Sequence, residues 1–299
     1  DAWLLNFTNP SGMVTEAILK HSSVKTVGLC NVPVIMQKGI AGMFGVEDIN
    51  EFIMQVAGLN HFIFARHVWF KGKDIIPDII SNIEQGNDPL IPKNIPPFKW
   101  PAGMLKNMRM LPCPYHRYYY MSDDMYRQEL SEAKGEGTRG EVVKQLEKEL
   151  FDIYRNPDLA EKPKALEGRG GQFYSDAACE LMSAIYNDKR IIMHVNTRNN
   201  GAISGLPDNC AVEVSSMITS SGPIPLNVEP FPDDIMSQIQ LMKTFEQLTI
   251  EAAVTGDRHT AWRGLVINPL IKSGASLEKA LDEVIEHNRV LMPAFHTSN

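Results

Sequence analysis

The chain opens on short apolar runs separated by turn-forming clusters. Trp3–Phe7 is apolar and is closed by Thr8-Asn9-Pro10-Ser11-Gly12, which predicts a strand followed by a turn. Met13–His21 has helical spacing with Val14, Ala17 and Ile18 on one face, and Lys25–Leu29 predicts a second strand ended by Cys30-Asn31-Val32-Pro33. Strand, helix and strand in so short a span form a βαβ unit with a parallel pairing and a right-handed crossover. Functional loops in such sheets lie at the carboxyl ends of the strands, where Asn9, Cys30 and Asn31 fall. The pattern then predicts a helix over Val34–Phe44 stopped by Gly45, and strands over Glu51–Gly58 and Phe62–Phe70 connected through Gly58–His61.

Residues 84–117 carry Pro89, Pro92, Pro96, Pro97, Pro101, Pro112 and Pro114, which forbid long helices and predict a segment that wraps the surface. Gly140–Tyr154 repeats Val142, Leu146, Leu150 and Ile153 at helical spacing, and Ser175–Asn187 predicts another helix. Ile191–Val195 and Ala211–Ser215 predict strands around the Asn199-Asn200-Gly201 turn; helices over 233–255, 258–272 and 276–289 follow. The succession of strands and helices is that of an α/β protein.

Composition narrows the function classes. The 299 residues are 43% hydrophobic and 22% charged, a globular balance with enough chain for a sizeable core. With 29 basic against 36 acidic residues the net charge is −7, which argues against a nucleic-acid or anionic-membrane partner. No apolar run is long enough to span a bilayer. The four cysteines are too scattered for a disulfide framework, which predicts a reducing, cytoplasmic setting. The sequence starts with Asp1 inside a predicted strand, so it is expected to be a segment of a longer protein.

Several residues combine chemistry with position. Cys30 and His61 are a thiol and an imidazole placed in loops, and two such ligands would leave a metal open to substrate oxygens, as catalytic sites require. Each also has a bland reading, as a small buried hydrophobe and a satisfied core histidine. Asn9 and Asn31 either cap and turn the chain or donate and accept toward a hydroxyl. Tyr174 follows the glycine cluster Gly168–Gly171 at a helix start, where it either packs or acts as a base, with Arg169 and Arg198 as the guanidiniums to assist it. The Tyr115–Tyr120 cluster with Arg117 reads as packing or a subunit contact. No Gly-x-Gly-x-x-Gly follows a strand and no Gly-x-Ser-x-Gly elbow is present.

Five ordered segments then converge: Asn6-Phe-Thr-Asn-Pro-Ser-Gly-Met-Val-Thr-Glu-Ala, Gly28-Leu-Cys-Asn-Val-Pro, Ala57-Gly-Leu-Asn-His, Arg169-Gly-Gly-Gln-Phe-Tyr-Ser-Asp-Ala-Ala and Asn200-Gly-Ala-Ile-Ser-Gly-Leu-Pro. Together with Phe245–Arg258 and Ile267-Asn-Pro-Leu they resemble glycoside hydrolase family 4, in particular its 6-phospho-β-glucosidases, over essentially the whole chain. The resemblance implies a substrate and metal-binding α+β domain, residues 31–299. It follows the tail, residues 1–30, of a Rossmann-like sheet of the lactate and malate dehydrogenase type. It also implies NAD and a divalent metal, commonly manganese, instead of the usual carboxylate pair. Oxidation at C3 of the sugar acidifies C2, a base removes that proton, the aglycone leaves C1, water adds and the hydride returns.

Transferred by motif, Cys30 and His61 ligate the metal, Tyr174 takes the C2 proton, and Asn9 and Asn31 hold sugar hydroxyls. Cys-Asn at 30–31 resembles the β-acting members, where α-acting members carry Cys-Asp. The implied partner is a 6-phosphorylated disaccharide or β-glucoside, with a homo-oligomer (dimer or tetramer) in the cytoplasm. The family's phosphate-gripping loop has no counterpart here, so no cofactor-binding residue is named. The segment alone is expected to bind NAD poorly and to be inactive. The alternatives are a family 4 α-glycosidase or galacturonidase, a lactate/malate dehydrogenase-like oxidoreductase, and a non-catalytic oligomerisation fragment.

Overall fold

The computed structural model describes residues 2–48, 51–90, 98–101, 103–135, 137–170, 173–271 and 274–296. In chain order the elements are β1 (Trp3–Asn6), α1 (Ser11–His21), β2 (Lys25–Gly28), α2 (Val32–Met43), β3 (Phe52–Leu59), β4 (Phe62–Phe70), β5 (Lys73–Asp74), α3 (Ile76–Glu84), α4 (Met104–Met108), β6 (Leu111–Pro112) and α5 (Arg117–Tyr120). There follow α6 (Ser122–Gly135), α7 (Arg139–Tyr154), α8 (Ala165–Arg169), α9 (Tyr174–Tyr186), β7 (Ile191–Arg198), β8 (Ala211–Thr219), β9 (Gly222–Pro225), α10 (Asp233–Thr255), α11 (Arg258–Ile267) and α12 (Leu277–His287). The fold is α/β, as the sequence pattern predicts. It divides into two compact units, one of Asp1–Leu29, Ala57–Ile63 and Ala184–Asn299, the other of Cys30–Val56 and Phe64–Ser183.

In the first unit β1 and β2 pair in parallel, from Trp3↔Lys25 to Asn6↔Gly28, as the βαβ reading requires. β2 meets β7 antiparallel at Gly28↔Asn196, and β7 runs antiparallel to β8 from Ile191↔Ile218 to Arg198↔Ala211. Both hairpin strands extend past the predicted ends. The turn at Asn199 proves to open a longer connection, organised by the buried Asn199 side chain. Its Nδ2 donates to the carbonyls of Ile203 (3.0 Å) and Leu206 (3.1 Å), and its Oδ1 accepts from Ile203 N at 2.8 Å.

Helix α1 departs from its apolar stripe. Its buried residues are Ser11, Gly12, Thr15 and Glu16, while Val14, Ala17 and Ile18 are only half-buried. The reason is close approach. A β-carbon on Gly28 would lie 2.2 Å from Thr15 Oγ1 and 2.7 Å from Asn196 Cβ, so only small or hydrogen-bonded groups fit there. Asn6 Nδ2 donates to Thr15 Oγ1 at 3.1 Å. One turn on, Glu16 is fully buried; its Oε2 accepts from Lys243 Nζ at 2.7 Å and from Ala211 N at 2.8 Å. Burial alone would raise this carboxyl, but Lys243, Lys20 and the Ala211 amide outweigh it and hold it below the usual range. Glu246 is the second carboxylate on Lys243.

The β3–β4 connection is shorter than predicted, only Asn60 and His61. Gly58 supplies φ 146°, and a β-carbon there would lie 2.3 Å from Phe62 O. Asn60 Oδ1 accepts from Ser11 N at the start of α1 (3.1 Å), while its Nδ2 donates to Glu213 Oε2 of β8 (3.2 Å). Glu213 is fully buried; burial pushes its carboxyl up to about 8 against the opposing pull of Asn60, Asn196 and the His61 main-chain N–H. Asn196 faces that carboxyl, yet its amide atoms and Glu213 Oε1 complete no hydrogen bond among the described residues.

In the second unit β4 pairs with β5 and with β6, the latter at Phe64↔Pro112 and Ala65↔Leu111. Helix α3 buries Ile76, Ile79, Ile80 and Ile83, a helical stripe that the sequence reading left unassigned. The Pro-rich stretch does keep its helices short, α4 spanning 5 residues. It does not simply wrap the surface. Leu90, Leu105, Leu111, Cys113 and His116 are all buried, because apolar side chains gain by leaving water whatever their backbone conformation. Pro92, Pro96 and Pro97 lie outside the described residues.

Two outcomes are expected. Gly28→Ala should lower unfolding free energy by about 2 kcal/mol or more, since backbone and side chain must both shift; chemical denaturation measures it. Glu213 keeps its proton when folded and loses it when unfolded, so it destabilises the fold progressively as pH rises from the ordinary carboxylate range to about 8. Glu213→Gln should therefore flatten the decline of the thermal midpoint across that window, and an unchanged slope would contradict the assignment.

Candidate functional site

In the first unit, His61 occupies the left-handed region at φ 63°. A β-carbon there is strained by about 1 kcal/mol, and the turn is held by the Asn60 bridge and by the His61 N–H on Glu213. The ring is half-buried, and desolvation pushes its pKa down to about 4, so the imidazole is neutral at physiological pH. A neutral imidazole is what metal ligation requires. Two other histidines are buried and read otherwise. His194 Nδ1 lies 3.1 Å from Ser215 Oγ, and His116 Nδ1 lies 3.3 Å from Cys113 Sγ with its ring 4.3 Å from that of Phe64.

Asn9 is exposed and does not cap α1, whose N-cap is Pro10 with no side-chain cap bond. The turn is built instead by Asn6, whose Oδ1 accepts from Thr8 N at 3.0 Å. That leaves the Asn9 carboxamide outside the turn's own bonding. Asn6, Asn60 and Glu213 are supporting residues that the sequence reading missed. Their signal was there: a lone carboxylate within the apolar run Ala211–Ser215, and amides beside each candidate loop.

In the second unit, Cys30 is 3% exposed and lies two residues before the first residue of α2. Its Sγ accepts from Val32 N at 3.5 Å. Val32 is the first residue of α2, so this amide is one of the donors that the helix itself leaves unpaired. Asn31 is the N-cap residue of α2, in helical conformation (φ −82°, ψ −15°) and without a side-chain cap bond, so the capping reading of its carboxamide is not realised. Tyr174 is the first residue of α9. Lys38 of α2 sits 3.9 Å from the centre of the Phe173 ring and 3.8 Å from Asp176 Oδ2, tying that helix start to α2. Gly171 and Gln172 of the glycine cluster lie outside the described residues. Arg169 is engaged by Glu147 at 2.9 Å, and Arg198 donates to the Leu19 carbonyl.

Tyr115 is the residue most undervalued by the sequence. Burial raises its phenol above the ordinary tyrosine range, and Cys30, Cys113, Tyr174 and Tyr118 raise it further through like-charge repulsion. One phenol is therefore within electrostatic reach of both Cys30 and Tyr174. Within the same cluster Arg117 is 2% exposed, and Tyr120 stacks on His116 at 5.7 Å between ring centres.

A thiol and a neutral imidazole are each, taken singly, donors that a borderline divalent metal accepts. Among the described residues no group of three or more His, Cys, Asp or Glu side chains gathers as a metal site. No residue of the chain is assigned to NAD. Among the described residues no helix is long and apolar enough to cross a membrane.

The family 4 glycosyl hydrolase C-terminal domain matches residues 56–271, and the family 4 glycosyl hydrolase domain matches residues 1–46. A probable 6-phospho-beta-glucosidase of Bacillus subtilis is 46% identical over 296 residues, covering 99% of this chain and 67% of that protein. The 6-phospho-beta-glucosidase of Escherichia coli is 36% identical, covering 99% of this chain and 66% of that protein. A crystal structure of the Thermotoga maritima 6-phospho-beta glucosidase with manganese, NAD+ and glucose-6-phosphate superposes with a TM-score of 0.84 at 32% identity, covering 96% of this chain and 66% of that one. This chain thus spans about two thirds of the length of the curated relatives it matches. With its βαβ opening, its Cys-Asn pair before α2 and its Asn-His turn all inside the matched regions, the chain belongs to the family 4 glycosyl hydrolases.

Proposed function

We propose that this chain is the metal- and substrate-binding portion of a glycosidase that hydrolyses 6-phospho-β-glucosides, such as phosphorylated cellobiose, with NAD and a divalent metal, manganese. The observation that carries the reading is Cys30 beside the start of α2, its Sγ accepting from the Val32 amide at 3.5 Å, in the same compact unit as Tyr174. Support for the β-linked, phosphorylated substrate comes from Asn31 and from the named activities of the Bacillus subtilis and Escherichia coli relatives. Cys30 supplies a thiolate donor and His61 a neutral imidazole donor. The remaining coordination positions are left to substrate oxygens, which are harder and suit manganese better than sulfur does.

Bound cofactor and metal supply a reversible oxidation beside C2 and stabilise the charge that develops there. The chain's own residues do the positioning and the proton transfer. The carboxamides of Asn9 and Asn31 bind sugar hydroxyls as both donor and acceptor. Tyr174 accepts the C2 proton. Tyr115 is the rival base. Burial and its neighbours keep its phenol protonated, and a cation held by Cys30 would offset that repulsion. The same reading makes the protein cytoplasmic, in keeping with four cysteines that form no disulfide, and a homo-oligomer.

In the full-length protein, Cys30→Ser should weaken manganese binding about tenfold or more in a calorimetric titration; unchanged affinity would remove the sulfur from the metal. Tyr174→Phe and Tyr115→Phe separate the two bases. The variant that has lost the base should exchange C2 hydrogen with deuterated water roughly a hundredfold more slowly while still binding metal. If both variants exchange at the parental rate, neither tyrosine is the base.

A further inference from the structure

Against Tyr115 the second unit holds a cavity of about 480 Å³, the rest of whose lining the proposed chemistry leaves unused. One wall is aromatic, Tyr115 and Tyr118; the other is a single face of α6 carrying Gln128, Glu129 and Glu132; Arg139 at the start of α7 closes it. The volume lies in the range of pockets that take one small ligand.

The polar groups are arranged before any ligand arrives. Gln128 Nε2 donates to Glu132 Oε1 at 2.9 Å on the exposed side of α6, which leaves the second Glu132 oxygen and the Gln128 carbonyl as acceptors. Glu129 accepts from the Tyr118 hydroxyl. Arg139 Nη2 is engaged by the Gly168 carbonyl at 2.8 Å, at the end of α8. The cavity therefore offers two carboxylates, an amide and aromatic rings against one committed guanidinium. A phosphate group would meet like charge here. A neutral, hydroxyl-rich ring would find acceptors for its hydroxyls and aromatic faces for its C–H surface.

Resting on the glycosidase reading above, we infer that this cavity is the subsite for the uncharged leaving sugar, with Gln128 and Glu132 as the residues that select a sugar aglycone over an apolar one. The phosphorylated ring, whose charge this lining repels, binds elsewhere. Specificity at the leaving group is thereby carried by α6, apart from the residues assigned to metal and proton transfer.

The test uses full-length protein loaded with NAD and manganese, assayed on cellobiose 6-phosphate and on nitrophenyl 6-phospho-β-glucoside. The readout is the ratio of kcat/KM for the disaccharide to kcat/KM for the aryl glucoside. Gln128→Ala and Glu132→Ala should each lower that ratio about tenfold, because hydroxyl recognition is lost only for the sugar leaving group. Activity on the aryl substrate reports that each variant has folded. A ratio within about threefold of the parent in both variants overturns the subsite and leaves the glycosidase reading standing. If the parent protein hydrolyses neither substrate, the glycosidase reading falls and the subsite with it.

Discussion

The first unit depends on one carboxamide. Asn60 joins the amide of Ser11 to the carboxyl of Glu213, so the turn between β3 and β4 is tied both to the helix of the βαβ unit and to a central strand. Each bond is satisfied within the fold, where leaving it unmade costs about 1–3 kcal/mol. That penalty is what keeps His61 in a left-handed conformation its side chain would not choose alone. Gly12 is part of the same constraint, since a β-carbon there would press on Asn60 Cβ at 3.0 Å. Small residues on α1 and a polar bridge from the turn are thus one device.

The buried charges nearby follow the same logic on a larger scale. Glu16, Lys243 and Glu246 are all nearly inaccessible. Such groups rarely add net stability compared with a well-packed apolar core, but losing one partner is costly, about 3–5 kcal/mol. They tie α1 to α10 through Lys243. In the second unit Cys30 is placed by equally local means. Pro33 fits the first turn of α2, and the amide of Val32 points at the sulfur.

Much of this was legible. The βαβ opening, the α2 and α9 helices and the final three helices follow from periodicity, glycine and proline, which act over a few residues. The isoleucine stripe of α3 was equally readable and was overlooked. Less accessible was the inner face of α1. Its apolar residues suggested one side, but the approach to Gly28 selected the side bearing Ser11, Gly12, Thr15 and Glu16. A polar helix face is buried only when partners from distant segments meet it, and Lys243 lies 227 residues from Glu16.

The sequence by itself determined the elements, the family and the residue types available for chemistry, because these depend on local spacing and on ordered motifs. Tertiary structure alone decided which of those residues are supported and which keep company. It showed that Asn6 rather than Asn9 builds the first turn, that Asn60 and Glu213 stand behind His61, and that Tyr115 neighbours Cys30 and Tyr174. Burial, and the shift in proton affinity that follows from it, is a property of the packed environment. No stretch of sequence carries that information until the chain has folded around it.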